Sequence, residues 1–387
     1  MRSFGWREST GERLGTKEHS LNLTAHADLR RPSGRSIDVD TRKPTVTFRI
    51  CDKLRSVAQR RKTSARRPRD SASTFAEPAL FRYLAGCKQI LIAGAGGGFD
   101  VYAGLPLAHA LWRRGQTVHL ANLSFTNLSE CDARRLTPAL SVITPKTIGP
   151  AYFPESALSR FLSAEGLPAT VYAFSRVGVR QLLVAYQTLA EQLRLDAIVL
   201  VDGGTDILMF GDEQGLGTPV EDMTSLAAVG QLRIAHRHVA CVGFGIDAYH
   251  GVCHSHFLEN VAALERDGAY HGSFSLPRST SEGALYLKAV AHAERYHANH
   301  PSIVNGSIAA ALEGKFGDVH FTQRTSGTEL FINPLMGIYF TFDLMGLCHR
   351  NQYLRELVDA PSVFHVEAII SAHHEHATHR PPRLIPH

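Results

Sequence analysis

The run Gln89-Ile-Leu-Ile-Ala93, broken by Gly94-Ala-Gly-Gly-Gly-Phe-Asp100, decides the fold. A short apolar run that stops at clustered glycines reads as a buried strand entering a tight turn. A helical pattern follows from Val101 to Arg114, with Leu105, Ala108 and Leu111 on one face. Gly115 ends that helix, and Thr117–Ala121 reads as a second strand. This β-loop-α-β unit is the opening of a doubly wound sheet.

The same grammar recurs downstream. Ala139–Ile143 and Thr170–Ala173 are expected strands, and Val177–Arg194 a long amphipathic helix. Asp196-Ala-Ile-Val-Leu-Val201 reads as a buried parallel strand, and Val239–Phe244 as another. Helices are expected over 255–265, 282–298 and 302–312, with two short strands near Val319–Thr322 and Glu329–Ile332 and helical segments closing the domain. Apolar strands alternating with amphipathic helices imply a Rossmann-like, doubly wound α/β fold, its mostly parallel sheet covered by helices on both faces. Residues 76–360 are assigned to that domain, and 361–387 to a C-terminal helix with a His- and Pro-rich tail.

Charge separates the first 75 residues from the rest. Residues 1–70 carry 18 Lys+Arg against 8 Asp+Glu, whereas the remaining 317 carry 23 against 28. The basic segment lacks a sustained period and is expected to be a disordered, solvated leader, or sequence upstream of the true start. Its densest run, Arg60-Arg61-Lys62 to Arg66-Arg67-Pro68-Arg69, has no interleaved aromatics for base stacking, and the remainder is net acidic. Nucleic acid is therefore not the expected partner. The six cysteines are scattered without a C-x-x-C pair, which suggests reduced thiols. No apolar stretch is long enough to span a bilayer, so no membrane is expected. The first residues lack a secretory h-region, and Glu8, Glu12, Glu18 and Asp28 argue against a transit peptide. The expected compartment is the cytoplasm.

Ligands of open parallel sheets sit beyond the carboxyl ends of the strands. Three loops occupy that position, each with glycine beside aspartate. In the first, Gly94, Gly96, Gly97 and Gly98 permit close backbone approach, and the helix start beyond them offers N–H groups to an anion. Asp100 serves either as a helix cap or as a group facing the ligand or a metal. Phe99 stands where a dinucleotide fingerprint needs its third glycine, and the second strand ends in Ala121-Asn122 with no acid for a ribose. NAD is thereby disfavoured, and a Walker loop is excluded because no Lys-Ser/Thr follows the glycines. Asn122 itself is counted among the ligand-binding candidates.

The second loop is Asp202-Gly203-Gly204-Thr205-Asp206, continuing through Phe210-Gly-Asp-Glu213 to Gly217-Thr-Pro-Val-Glu-Asp222. Asp202, Asp206 and Asp212 are candidate ligands for Mg²⁺ or Ca²⁺, whose preferred donors are carboxylate oxygens. Asp202 and Asp206 are equally candidate general bases. The competing account makes them turn residues and Asp222 a first-turn acid suited to the helix dipole. The third loop, Gly243-Phe-Gly-Ile-Asp247, leads to His250, and both Asp247 and His250 are candidate catalytic groups. His250 and His254 would share a helix face only if no break falls between them. His373, His374 and His376 are expected to be adventitious in a frayed tail. No G-x-S-x-G elbow occurs, which argues against a serine hydrolase.

Several segments together resemble the domain-of-unknown-function 1152 family. They are Ile92-Ala-Gly-Ala-Gly-Gly-Gly-Phe-Asp-Val101, Val199-Leu-Val-Asp-Gly-Gly-Thr-Asp206, Phe210-Gly-Asp-Glu213 through Asp222, and Gly243-Phe-Gly-Ile-Asp247. The resemblance spans roughly residues 86–345 and implies a Rossmann-like fold, with no settled activity to carry over. From the loops themselves, the expected function is binding of an anionic, phosphorylated or nucleotide-like small molecule, with hydrolase or transferase chemistry. The alternative is a sensor or partner-binding module using the same cleft.

Overall fold

The computed structural model describes residues 76–320, 322, 325 and 330–385. The basic leader and most of Thr325–Glu329 lie outside the described residues. In chain order the larger elements are α1 (Ala79–Leu84), β1 (Gln89–Gly94), α2 (Asp100–Arg113), β2 (Thr117–Ser124), β3 (Arg134–Thr137), β4 (Leu140–Ile143), α3 (Pro154–Ala164) and β5 (Val171–Ser175). They continue with α4 (Val179–Leu193), β6 (Ala197–Asp202), α5 (Pro219–Gly230), β7 (His236–Cys241), α6 (His254–Arg266), β8 (Tyr270–Ser275), α7 (Ser281–Tyr296) and α8 (Ile303–Leu312). The last are β9 (Gly317–Asp318), β10 (Phe331–Ile332), β11 (Ile338–Asp343), α9 (Leu344–Arg350), α10 (Leu354–Leu357) and α11 (Val363–His376).

Nine strands form one sheet in the order β3-β4-β5-β2-β1-β6-β7-β11-β8. The five central strands, β5 to β7, pair in parallel, and an antiparallel pair flanks them on each side. The α/β class with a mostly parallel sheet is thus the observed one. Alternation puts Leu91 and Ala93 of β1 into one apolar cluster and Ile90 and Ile92 into the other. In β6, Ile198 and Leu200 oppose Val199 and Val201 in the same way. All eight side chains are fully buried, and each such burial is worth roughly 1.5–3 kcal/mol for the larger aliphatics. This is why both strands read as continuous apolar runs.

The structure also corrects the sequence reading. The strand expected at Val239–Phe244 begins three residues earlier, at His236, because its first residues lie near the sheet's other end and tolerate polar side chains. β8 and β11 were not anticipated. They form the antiparallel edge beside β7, where Tyr270–Ser275 has half-buried and exposed positions but none fully buried, and lacks an apolar run. Of the two short strands expected past α8, Glu329–Ile332 is reduced to β10, and its partner β9 lies just ahead of the expected Val319–Thr322.

From β1 the chain proceeds to β2 on one side and later crosses to β6 on the other. The loops after β1 and β6 therefore diverge around a switch point, where a crevice opens at the carboxyl ends of the strands.

Candidate functional site

That crevice holds a cavity of about 550 Å³. Its lining includes Gly96, Gly97, Gly98 and Asp100 after β1; Asp202, Gly203, Gly204 and Asp206 after β6; and Asp247 and His250 after β7. The three loops singled out from sequence thus meet in one place. Glu221 and Asp222 from the first turn of α5 complete its acidic floor.

The loop after β1 is shaped by close packing. A Cβ on Gly94 would fall 2.3 Å from Asn122 Oδ1, and Gly97 adopts φ +94°, a left-handed conformation. Asn122 is fully buried beneath the loop, away from the cavity. Its Nδ2 donates to the Gly98 carbonyl at 2.8 Å and to Glu155 Oε1 at 2.7 Å, while its Oδ1 accepts from Val101 N–H at 3.2 Å. Asn122 therefore holds the loop instead of facing the lining. Several of the amides near the expected anion cradle are taken up by the chain itself. Gly96 N–H donates to Asp100 Oδ2 at 2.6 Å, and the N–H groups of Asp100 and Tyr102 donate to the carbonyls of Gly97 and Phe99. The Asp100 carboxylate thus closes the glycine loop and lines the cavity but does not cap α2, whose first residue it is and whose N-cap, Phe99, makes no side-chain cap.

The second loop splits. Asp206 turns inward, its Oδ2 accepting from Thr218 N–H at 2.7 Å and Thr218 Oγ1 at 3.2 Å. Asp202 Oδ2 accepts from Ile207 N–H at 3.2 Å. Thr205 is buried, and its hydroxyl donates to Asp247 Oδ2 at 3.0 Å, linking this loop to the third. Asp212 and Glu213 leave the cavity. Arg380 Nη2 donates to Asp212 Oδ1 at 2.9 Å and to Glu213 Oε1 at 2.7 Å. The metal candidates Asp202, Asp206 and Asp212 are accordingly not gathered as one set. The triad that is gathered consists of Asp100, Asp202 and Asp222, with one oxygen from each lying within 4.8 Å of the others.

His250 ends a 3₁₀ turn (Ile246–His250), and α6 starts only at His254, so the two imidazoles do not share a helix face. His254 packs edge-on against Phe244 instead. His373 and His376 belong to α11 rather than to a frayed end, and the His373 ring sits 5.2 Å from that of Tyr353.

Burial governs the electrostatics of the floor. It raises the Asp100 carboxyl to about 7, against the pull of the Gly96 amide and with a further push from Asp206. Burial, and then the charge of Asp222, holds Asp202 well above the ordinary carboxylate range. Asp222 and Asp247 stand well above it for the same first reason, each with Asp206 as the leading neighbour. Asp206 is raised less freely, since Thr218 and His250 both favour its charged form. Carboxyls this close cannot all ionise without a compensating charge.

Sequence reasoning passed over the rest of the wall. Arg176 follows β5 and pairs with Glu221. Phe125 and Tyr152 line one side, and His300 to Val304 at the start of α8 line another. None of these sits in a glycine loop, and only the fold brings them near. Asp222 did carry a signal, the Gly217-Thr-Pro-Val-Glu-Asp222 stretch, but its helical position gave it an ordinary structural explanation.

Among the described residues no helix is long and apolar enough to cross a membrane. No curated protein matches the chain. The family model for DUF1152, described as proteins of unknown function, matches residues 91–376, a span that contains every loop of the cavity. The chain belongs to the DUF1152 family.

Proposed function

We propose that this cavity binds a phosphorylated or nucleotide-like small molecule and acts on it as a hydrolase or transferase. The observation that carries the proposal is the convergence of the loops after β1, β6 and β7 on one cavity of about 550 Å³ at the switch point of the sheet. A volume of that order accommodates a ligand the size of a mononucleotide or sugar phosphate.

Asp202, Asp206, Asp247 and His250 are the groups available for proton transfer. A carboxyl held above its usual range keeps a proton to give to a leaving oxygen, and a neighbour held by hydrogen bonds can take one from water or a hydroxyl. Asp206 suits the second role, because Thr218 N–H and Oγ1 stabilise its ionised form. Asp247, accepting from the Thr205 hydroxyl, is oriented toward Gly204, where an added Cβ would lie 2.9 Å from its oxygens. Gly203 and Gly204 thus keep the floor open to a ligand. Arg176, whose Nε pairs with Glu221, keeps its terminal nitrogens at the rim for a phosphate oxygen.

The test is a thermal-shift screen of the full chain against nucleotides and sugar phosphates, followed by a turnover assay on each compound that stabilises it. A ligand at 100 times its dissociation constant raises stability by roughly 2.7 kcal/mol. Product formation that falls at least a hundredfold in Asp206→Asn, with binding retained, supports the proposal. Binding without product identifies a sensor. Failure of every phosphorylated compound to stabilise the chain overturns the ligand class.

A further inference from the structure

Asp222 is 2% exposed, and its Oδ1 accepts no hydrogen bond within the chain. A buried carboxylate oxygen in that state costs at least as much as a lost hydrogen bond, and more if charged. It faces the cavity, as do Asp100 and Asp202, and one oxygen from each of the three lies within 4.8 Å of the others. Oxygen ligands 2.0–2.6 Å from a hard divalent ion are separated by about 3–5 Å from one another. The three oxygens therefore surround a position that such an ion would occupy with small side-chain adjustments.

The backbone leaves room for it. A Cβ on Gly96 would come 2.7 Å from Asp222 Oδ2 and 2.9 Å from Asp100 Oδ2, in the space between the two carboxylates. A Cβ on Gly203 would lie 3.0 Å from Asp100 Oδ1, and one on Gly204 3.1 Å from Asp202 Oδ1. Glycine at all three positions keeps side-chain atoms away from the triad. The surroundings also call for positive charge. The lining carries six acids, Asp100, Asp202, Asp206, Glu221, Asp222 and Asp247, against Arg176, which Glu221 already engages.

We infer that Asp100, Asp202 and Asp222 form a binding site for one hard divalent cation of the Mg²⁺ or Mn²⁺ class, open toward the cavity. This deepens the proposed function, on whose ligand site it rests. A bare phosphate would meet an acidic floor, whereas a cation there inverts the local field and gives phosphate oxygens a partner. Three carboxylates leave further coordination positions for water and ligand.

The experiment is Mn²⁺ binding to the full chain, stripped with EDTA and desalted, followed by the loss of the free-ion electron paramagnetic resonance signal. One saturable Mn²⁺ per chain is expected, competed by Mg²⁺. Asp222→Asn and Asp100→Asn should each weaken it at least tenfold, with circular dichroism matching the wild type, while Asp267→Asn, an exposed acid paired with Arg350, should leave it unchanged. Absence of saturable binding in the wild type, or equal binding in folded Asp222→Asn, overturns the inference. The two proposals fail separately. Mn²⁺ bound without affinity for any phosphorylated compound removes the ligand class and keeps the cation site. A phosphorylated ligand bound equally well in EDTA, together with no saturable Mn²⁺ binding, removes the cation site and keeps the ligand class.

Discussion

The Asn122 side chain donates to Glu155 Oε1 at 2.7 Å, beneath the glycine loop that the same amide holds. Glu155 is fully buried, its Oε2 has no hydrogen-bond partner, and burial raises its carboxyl from 4.5 to about 7. A carboxyl raised on folding adds stability below its unfolded value that is lost as the pH climbs through its folded one. The window here is pH 4.5 to about 7, and the stake is of the order of 3 kcal/mol. Glu155→Gln keeps the acceptor for Asn122 and removes the titration. Urea midpoints measured at pH 4.5 and pH 8 should show the variant gaining on the wild type at the higher pH. A constant separation between the two proteins would show that Glu155 does not change its protonation on unfolding.

His238 tests the opposite sign. Burial, followed by the charges of His271 and His236, lowers its imidazole from 6.5 to about 3. The neutral ring then contributes stability that is present above pH 6.5 and lost progressively on acidification. His238→Asn should flatten the loss of stability between pH 7 and pH 5, measured by the same denaturation. An unchanged slope would assign the acid sensitivity to other groups.

Gly97 combines a left-handed φ with contact against Phe125, whose Cε1 an added Cβ would meet at 2.6 Å. Alanine there should cost about 1–2 kcal/mol for the backbone conformation, plus a contact penalty. Phe125 is 49% exposed and can swing away, so Phe125→Ala in the same background should recover the contact part alone. Full recovery in the double variant would mean that the left-handed turn carries no cost.

Asp222→Asn should stabilise the EDTA-treated protein by about 1 kcal/mol, because an amide replaces a carboxyl whose ionisation burial and the crowded acidic floor oppose. Added Mn²⁺ should reverse the order of the melting temperatures, since the wild type gains binding energy that the variant lacks. A variant that melts lower in both conditions would mark Asp222 as a structural residue.

Arg380 donates to Asp212, Glu213, Glu259 and Asn260. Glu213 is 0% exposed and also accepts from Phe210 and Gly211 N–H, which soften the loss of the guanidinium. With that compensation and the partial exposure of Arg380, Arg380→Ala should cost about 2 kcal/mol rather than the 3–5 typical of a fully buried pair broken on one side. Adding Glu213→Gln should return part of it. Arg383, 71% exposed and 3.9 Å from Glu259, should tolerate alanine within about 0.5 kcal/mol. Equal costs for the two arginines would contradict the burial argument.

The parallel core was legible because β1 and β6 are buried on both faces, and such strands write themselves as unbroken apolar runs. The edge was not. Tyr270–Ser275 is stabilised by its ladder with β11 and has no apolar run to reveal it. The loops after β1, β6 and β7 were found because glycine and aspartate at strand ends are local features. The membership of the acidic floor is a long-range one. Asp206 and Asp212 look alike in sequence, yet Thr218 claims one from 12 positions away and Arg380 the other from 168. Asp222 reads as a helix-start acid until Gly96 and Asp100 are brought beside it.

The bridge between Glu213 and Arg380 has a consequence for how the chain matures. The loop leaving β6 carries a buried negative charge whose cationic partner is 167 residues further along. During synthesis the central strands can pair while that corner still lacks its guanidinium. That corner can settle only once residue 380 has emerged, so the turn around Glu213 should be among the last features of the nascent protein to become native.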